Sequence, residues 1–252
     1  VWIMGESTLR VELLYHTERP EEKVAMAAKI CYSNAGITEL KQGIASKDQA
    51  GFVSKLMQVG HHSPIEHASF TFGVEGVSRS LLAQITRHRL ASFSVKSQRY
   101  VRESGSHGEI FDYLIPPGIA ALGPKFVEEF KRQMAQMQSW YDYWLDLLAG
   151  QDTCGVKAAQ EDARFVLPNA TETKFVVTMN ARELHHFFNL RCCNRAQWEI
   201  RNLATEMLRL AKGVAPVLFE NAGPSCLQES CPEGKESCGK VQEVREKFAK
   251  LA

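Results

Sequence analysis

The sequence predicts a helix-rich α/β chain of the α+β kind, with a mixed or antiparallel sheet and no Rossmann core. Three observations carry that expectation. Strand-like alternation is confined to short stretches, as where Phe70, Phe72 and Val74 alternate with Ser69, Thr71 and Gly73. Amphipathic stretches bounded by start and stop signals occupy far more of the chain. Finally, G-x-G-x-x-G, G-x-x-x-x-G-K-[ST] and G-x-S-x-G are all absent from the sequence, so a dinucleotide fold, a P-loop and a hydrolase elbow lack their signatures.

Taken in order, Leu9 to Tyr15 reads as a strand through Val11, Leu13 and Tyr15, and Glu21 to Ile30 as a helix entered at Pro20. Ser46 with Gln49 predicts a capping box whose helix turns Phe52, Leu56 and Met57 inward until Gly60 stops it. Ser63-Pro64-Ile65-Glu66 repeats that start signal, and the strand at 70–74 follows. Pro124 to Leu148 predicts one long helix ending at Gly150. A helix over Val156–Phe165 stops before Pro168, Thr171 to Met179 is β-rich, Asn180 with Glu183 caps the next helix, and 196–218 forms another. The expected organisation is one catalytic domain over 1–222, followed by a Cys- and charge-rich tail over 223–252.

Composition narrows the functional classes. At about 150 residues per domain, 252 residues allow one large domain or two small ones. Thirty Lys+Arg against 29 Asp+Glu leave a net charge of +1, so no global field draws the molecule to nucleic acid or an anionic membrane, and any anion site is local. Seven scattered cysteines fit a reducing, cytoplasmic compartment better than a disulfide framework. The opening Val-Trp-Ile-Met-Gly-Glu6 has neither the basic region nor the apolar core of a signal peptide. Tyr113 to Leu122 contains Pro116, Pro117 and Gly118 and is too short to span a bilayer.

Chemistry concentrates in Gly76–Arg102, which carries six Lys/Arg and no Asp or Glu where composition predicts roughly three of each. If the helix continues through it, Gln84, Arg87 and His88 share one face, followed by Arg89, Ser92, Ser94, Ser97 and Arg99. Guanidinium forks, an imidazole, an amide and hydroxyls without a carboxylate suit phosphate and polar ring edges; a solvated basic face is the alternative. Arg191 falls four and seven positions after Phe187 and Leu184, on their apolar face. An arginine carried inward must be paired, either with Glu199 or Glu206 or with a ligand's polar edge. His61, His62 and His67 straddle a start signal rather than repeating at i, i+4 with a carboxylate, which speaks against a metal site. Cys192 and Cys193 read as small buried residues, whereas Cys226, Cys231 and Cys238 leave a structural zinc open.

Arg87-His88-Arg89, seven residues and then Ser97 resembles the signature of the flavin-dependent thymidylate synthases. Gly-His-His-Ser-Pro-Ile-Glu-His at 60–67, Phe-Thr-Phe at 70–72, Gln84, Ser-Gln-Arg-Tyr at 97–100 and the run from Asn180 to Ala-Gln-Trp-Glu-Ile-Arg201 are similar to that family in the same order. The likeness spans most of residues 60–222. It implies a homotetramer with FAD and dUMP at subunit interfaces, so that separate donor clusters need not meet within one chain. It also implies reductive methylation of dUMP to dTMP, with methylenetetrahydrofolate as one-carbon donor and NADPH as reductant.

By the same resemblance Gln84, Arg87, Ser97, Gln98, Arg99, Arg164 and Arg191 hold dUMP, and Ser63, Arg87, His88, Arg89, Asn180, Arg182 and His186 contact the flavin, with His61 near the ring or folate pocket. Ser63 then presents a helix N-terminus to an anion. Arg191, beside the N3/O4 edge of the pyrimidine, stabilises the negative charge that builds there and is the catalytic candidate. Ser97 has no general base at fixed spacing and is expected to position substrate. Val95 stands where many members carry Glu or Gln, and His186 where others have Asn. The competing readings are a nucleic-acid module using Phe93 and Tyr100 for stacking, and a flavoprotein without methyl transfer.

Overall fold

The computed structural model describes residues 6–45, 47–104, 110–150, 155–228 and 230–251. Helices dominate, and a four-stranded sheet has the order β1-β2-β4-β3, formed by β1 (Arg10–His16), β2 (Ser69–Ser78), β3 (Ala91–Val95) and β4 (Glu172–Asn180). Pairing of β1 with β2 is antiparallel, since Thr17 N–H donates to the Ser69 carbonyl while Arg10 lies beside Glu75. The pairing of β2 with β4 is antiparallel too, with Thr71 against Thr178 and Arg79 N–H on the Thr171 carbonyl. The chain forms two compact units: Val1–Arg10, Val74–Arg87 and Ser94–Phe175 make the first, and Val11–Gly73, His88–Phe93 and Val176–Ala252, which includes the tail, make the second.

The second unit opens with α1 (Pro20–Ile30), which begins with proline in its first turn as expected, and α2 (Ile37–Ala45), which the sequence reading left unassigned. The third helix, α3 (Ala50–Gln58), starts four residues after the expected cap. Ser46 lies outside the described residues, and Gln49 turns its amide back onto the carbonyls of Ile44 and Lys47 instead of closing a capping box. Pro64–His67 is a four-residue 3₁₀ turn, and Ser63 makes no side-chain capping bond. The helix N-terminus expected at Ser63 is therefore absent, because Ala68 is already extended and enters β2.

In the first unit α4 (Arg79–Ile85) is capped by Ser78, whose hydroxyl accepts from Leu81 N–H at 3.1 Å. It ends before Thr86, so Gln84, Arg87 and His88 do not share a helical face. A four-residue helix, α5 (Pro117–Ala120), precedes α6 (Pro124–Ala149), which rises about 39 Å. Gly123 at φ 102° and Pro124 start α6, and Gly150 closes it. It packs on α7 (Val156–Ala163) through Tyr141, Leu145, Ala159 and Ala163. The chain continues as a 3₁₀ turn, Arg164–Val166, ahead of Pro168.

Three more helices complete the second unit: α8 (Ala181–Arg191), α9 (Trp198–Val214) and α10 (Val241–Ala249). Asn180 Oδ1 accepts from Glu183 N–H at 2.9 Å and sets the start of α8, while Gln197 caps α9. Leu184, Phe187 and Phe188 of α8 and Ile200, Leu203, Met207 and Leu208 of α9 are buried on facing stripes at helical spacing. Phe219 joins this core, 5.2 Å from the Phe70 ring and stacked at 5.2 Å on His185.

Two predictions follow from these contacts. Gly76 sits at φ +69°, and a Cβ there would lie 1.8 Å from the Thr8 carbonyl oxygen, a backbone atom that cannot turn aside. Gly76→Ala is expected to cost about 2–4 kcal/mol of stability, and an unchanged thermal midpoint would refute the close approach. The second concerns His185, whose Nε2–H donates to the Leu218 carbonyl at 3.0 Å; burial, with His62 nearby, pushes its pKa down to about 4. The unfolded chain takes up this proton near pH 6.5, so the stability present above that pH falls as the pH drops toward 4, by up to about 3 kcal/mol. Denaturant unfolding of the wild-type chain and His185→Phe across that range is expected to show a shallower decline in the variant.

Candidate functional site

The acid-free segment finds its counter-charges elsewhere. Within the first unit Lys96 Nζ lies 2.7 Å from Glu103 Oε2 and Arg79 Nη2 3.8 Å from Oε1 of the same carboxylate, which is 2% exposed. Glu103 is fixed by α6, where Gln138 donates to its carbonyl and Tyr141 Oη accepts from its N–H. Arg102 pairs with Asp142 at 2.8 Å and Arg99 Nε with Glu161 Oε2 at 2.8 Å, both on the surface. That accounts for four of the six cations. Arg87 and Arg89 are exposed and, among the described residues, have no ion-pair partner. The pair flanking His88 is thus what the segment leaves for an external anion.

The two units divide the other expected residues. Gln84, Arg87, Ser97, Gln98, Arg99 and Arg164 belong to the first. Gln84 lies on α4, its amide near the Ser80 carbonyl, and Arg87 on the turn after it. Ser97 opens the turn after β3, where its carbonyl accepts from Tyr100 and Val101 N–H and its hydroxyl from Arg99 N–H. Arg164 Nε donates to the Glu161 carbonyl at 3.0 Å, so Arg99 and Arg164 meet at one residue.

His61, Ser63, His88, Arg89, Asn180, Arg182, His186 and Arg191 belong to the second unit. His61 Nδ1 is 3.0 Å from Tyr32 Oη, Ser63 is exposed, and Arg182 is ion-paired with Glu66. His186 is exposed, with its ring 6.0 Å from that of His88.

His88 itself is buried. Its Nδ1 lies 3.2 Å from Glu183 Oε1, its Nε2 receives the Nε–H of Arg191 at 3.1 Å, and its ring meets Phe187 edge-on at 5.0 Å. A guanidinium nitrogen only donates, so Nε2 is the bare acceptor and the proton resides on Nδ1, facing the carboxylate. Burial, with Arg191 and His186 adding to it, holds the imidazole below its ordinary pKa against the pull of Glu183. The contact with Glu183 is therefore a hydrogen bond from a neutral ring. At Nε the partner of Arg191 is thus a ring, and Glu206, one of the two expected carboxylates, is taken by Arg209 at 2.6 Å. Sequence reasoning had seen Glu183 only as part of a cap; its place at the third position of α8, on the stripe with Phe187, was the available signal.

Cys192 is buried, and burial pushes its thiol up to about 12, as befits an apolar filler. The described cysteines are free, and among the described residues no three His, Cys, Asp or Glu side chains are placed to hold a metal ion together. A cavity of about 350 Å³ in the second unit is walled by Arg191, Cys193, Arg195, Pro224, Cys226 and Cys231. The tail is fastened beside it by Arg195–Glu236 and by Asn194 Nδ2 donating to Cys238 Sγ. No described helix is long and apolar enough to cross a membrane.

A family model described as thymidylate synthase complementing protein matches residues 12–217. The chain belongs to that family. It is 50% identical over 246 residues to the flavin-dependent thymidylate synthase of Geobacter sulfurreducens, covering 97% of this chain and 100% of that one. It is 48% identical over 244 residues to the enzyme of the same name from Clostridium tetani, covering 94% and 96%. A solved structure of a UMP/dUMP methylase, PolB from Streptomyces cacaoi bound with 5-Br UMP, is similar with a TM-score of 0.66 and 27% identity, covering 85% of this chain and 93% of that one. The family match encloses Arg87–Ser97 and Asn180–Arg191, the segments that carry the exposed Arg87 and Arg89, the buried His88 and its partners Glu183 and Arg191.

The ion pairs differ in expected weight. Glu103→Gln leaves Lys96 and Arg79, both largely shielded, without their carboxylate and is expected to cost about 2–4 kcal/mol. Glu161→Gln removes a half-exposed partner and should cost less than about 1 kcal/mol. Urea unfolding of the two variants side by side checks the ordering.

Proposed function

We propose that this chain catalyses the reductive methylation of dUMP to dTMP, with FAD as cofactor, methylenetetrahydrofolate as one-carbon donor and NADPH as reductant. Family membership supports the reaction, and the relatives' names carry flavin dependence and dUMP methylation. The single observation that carries it to residues is that, of six cations in an acid-free segment, Arg87 and Arg89 stay exposed and unpaired among the described residues. Two guanidinium forks on either side of His88 suit phosphate oxygens. Because the His88 ring is engaged at both nitrogens, Arg87 and Arg89 supply the charged donors of that triplet.

In this reading Arg87, Arg89, Asn180, Arg182 and His186 hold the flavin nucleotide, with Ser63 and His61 at its margin and the backbone of His88 contributing. When bound, the flavin carries the hydride that reduces the transferred one-carbon unit. Gln84, Arg87, Ser97, Gln98, Arg99 and Arg164 hold dUMP. The Arg99–Glu161 pair is a surface interaction worth about 1 kcal/mol or less, so a phosphate can displace it. Arg191 stands at the N3/O4 edge, where its positive charge stabilises the anion that makes C5 nucleophilic, and Ser97 orients substrate.

By the family resemblance the protein acts as a homotetramer whose sites are shared between protomers. We take residues 1–222 as the catalytic domain, 223–252 as an appended tail, and the cytoplasm as the compartment, in keeping with free thiols.

Purified protein is expected to be yellow and to convert dUMP to dTMP only with methylenetetrahydrofolate and NADPH present. Arg87→Ala should raise the KM for dUMP about 10- to 100-fold, the loss of one charge-assisted contact. Colourless protein with steeply salt-dependent nucleic-acid affinity would replace this reading with the nucleic-acid module. Yellow protein that yields no dTMP would replace it with another flavoenzyme.

A further inference from the structure

In the second unit the buried Glu183 carboxylate and His88 imidazole connect to the half-buried Arg191 guanidinium in one chain. The two contacts are 3.2 Å and 3.1 Å, and the His88 and Glu183 side chains are 4% and 6% exposed. Each end has a rigid support. Asn180 fixes the first turn of α8 and so the origin of Glu183, while Arg191 closes the same helix two turns on. His88, from the turn after α4, is clamped edge-on by Phe187 between them.

We propose that Glu183 is a positioning residue for the reaction: it holds the His88 proton on Nδ1, which keeps Nε2 bare to receive Arg191 and so fixes the plane of the guanidinium. The proposal rests on the reading that Arg191 meets the uracil edge. The chemistry is directional. Neutral imidazole carries one proton, and whichever nitrogen faces the better acceptor keeps it on the other side of the ring from a donor. Remove the carboxylate and the proton can move to Nε2, where it faces Arg191 Nε–H donor to donor. The guanidinium must then swing away, since two N–H groups cannot share that spacing. A planar fork aimed at two adjacent acceptors on a ring edge tolerates little rotation, so loss of orientation reaches the ligand although neither Glu183 nor His88 touches it.

Charged and titratable groups facing the imidazole are Glu183, Arg191 and His186. Among these Glu183 supplies the acceptor that selects the tautomer, a role that the capping position of the residue does not require.

The test uses flavin-loaded protein titrated with dUMP in a calorimeter, for wild type, Glu183→Leu, Glu183→Gln, Arg191→Ala and the Glu183→Leu/Arg191→Ala double variant. Glu183→Leu is expected to weaken dUMP binding about 10- to 100-fold, with Glu183→Gln intermediate because its amide oxygen still accepts. In the Arg191→Ala background the same Leu substitution should change binding less than about twofold, since the two act as one unit. Wild-type affinity in Glu183→Leu, or a full loss that persists without Arg191, overturns the positioning role. Should Arg191→Ala itself bind dUMP like wild type, the assignment of Arg191 to the uracil fails instead, and the two failures are distinguishable. A second measurement needs no variant at position 183: in protein labelled with ring-¹⁵N histidine, the His88 signals, identified by their loss in His88→Gln, must report a protonated Nδ1 and a bare Nε2. A proton on Nε2 refutes the proposal outright.

Discussion

A 27-residue segment with six cations and no carboxylate can pack only if the rest of the chain supplies acceptors. Much of the candidate site follows from how that demand is met. Buried Glu103 answers two of the charges, and Asp142 and Glu161 answer two more at the surface. These pairs differ in kind. Glu103 is shielded from water, so its pairs tie Arg79, at the start of α4, to Lys96 within the first unit. The surface pairs yield readily to a competing anion because water screens them. Burial thus separates cations committed to packing from cations open to solvent within a single run of sequence. What remains, Arg87 and Arg89, is a pair whose charge is carried into solvent with nothing to cancel it among the described residues.

Elements whose boundaries are set by local chemistry were legible from the letters. Pro20, Asn180, Pro124 and Gly150 each impose a backbone conformation or supply a cap, and the helices they bound stand where the spacing predicts. The alternation at 70–74 survived as part of β2 because one face is covered throughout. Failures occurred where a local signal competed with a longer-range demand. Ser63-Pro64 has the start signature of a helix, but the strand claims Ser69 onward and leaves room for one tight turn. Gln49 had backbone carbonyls within reach and used its amide on those. Nothing in Thr86-Arg87-His88 breaks a helix outright, yet α4 ends at Ile85 and His88 is buried in the second unit, a placement no window of residues records.

The site shows the same division. Donor chemistry can be read from composition: arginines, an imidazole, an amide and hydroxyls without acids select anions wherever they lie. Pairing was not legible, because Glu183 is 95 positions from His88, and its apparent purpose, the third position of a capped helix, was already accounted for. Helical periodicity placed Arg191 on the stripe of Phe187 and Leu184, which established that it points inward and must be satisfied. It could not say by what. Of the two candidate carboxylates on the following helix Glu206 pairs with Arg209, and at Nε the acceptor is a ring from a different part of the chain.

The nature of that acceptor has a chemical consequence. A carboxylate in hydrogen-bond contact would orient a guanidinium and at the same time offset its charge, so a nucleobase arriving on the far side would meet a weaker field. Neutral imidazole orients Nε–H without adding a negative charge at that atom, and the carboxylate that fixes the tautomer is held one ring further back. Electrostatic stabilisation of a developing anion grows with the field at the reacting atoms and falls with every reorganisation needed to produce it. On the reading that Arg191 meets the uracil edge, interposing His88 between Glu183 and Arg191 would serve both requirements: Nε–H is held in place before substrate arrives, and the carboxylate that sets the tautomer is separated from that nitrogen by the imidazole.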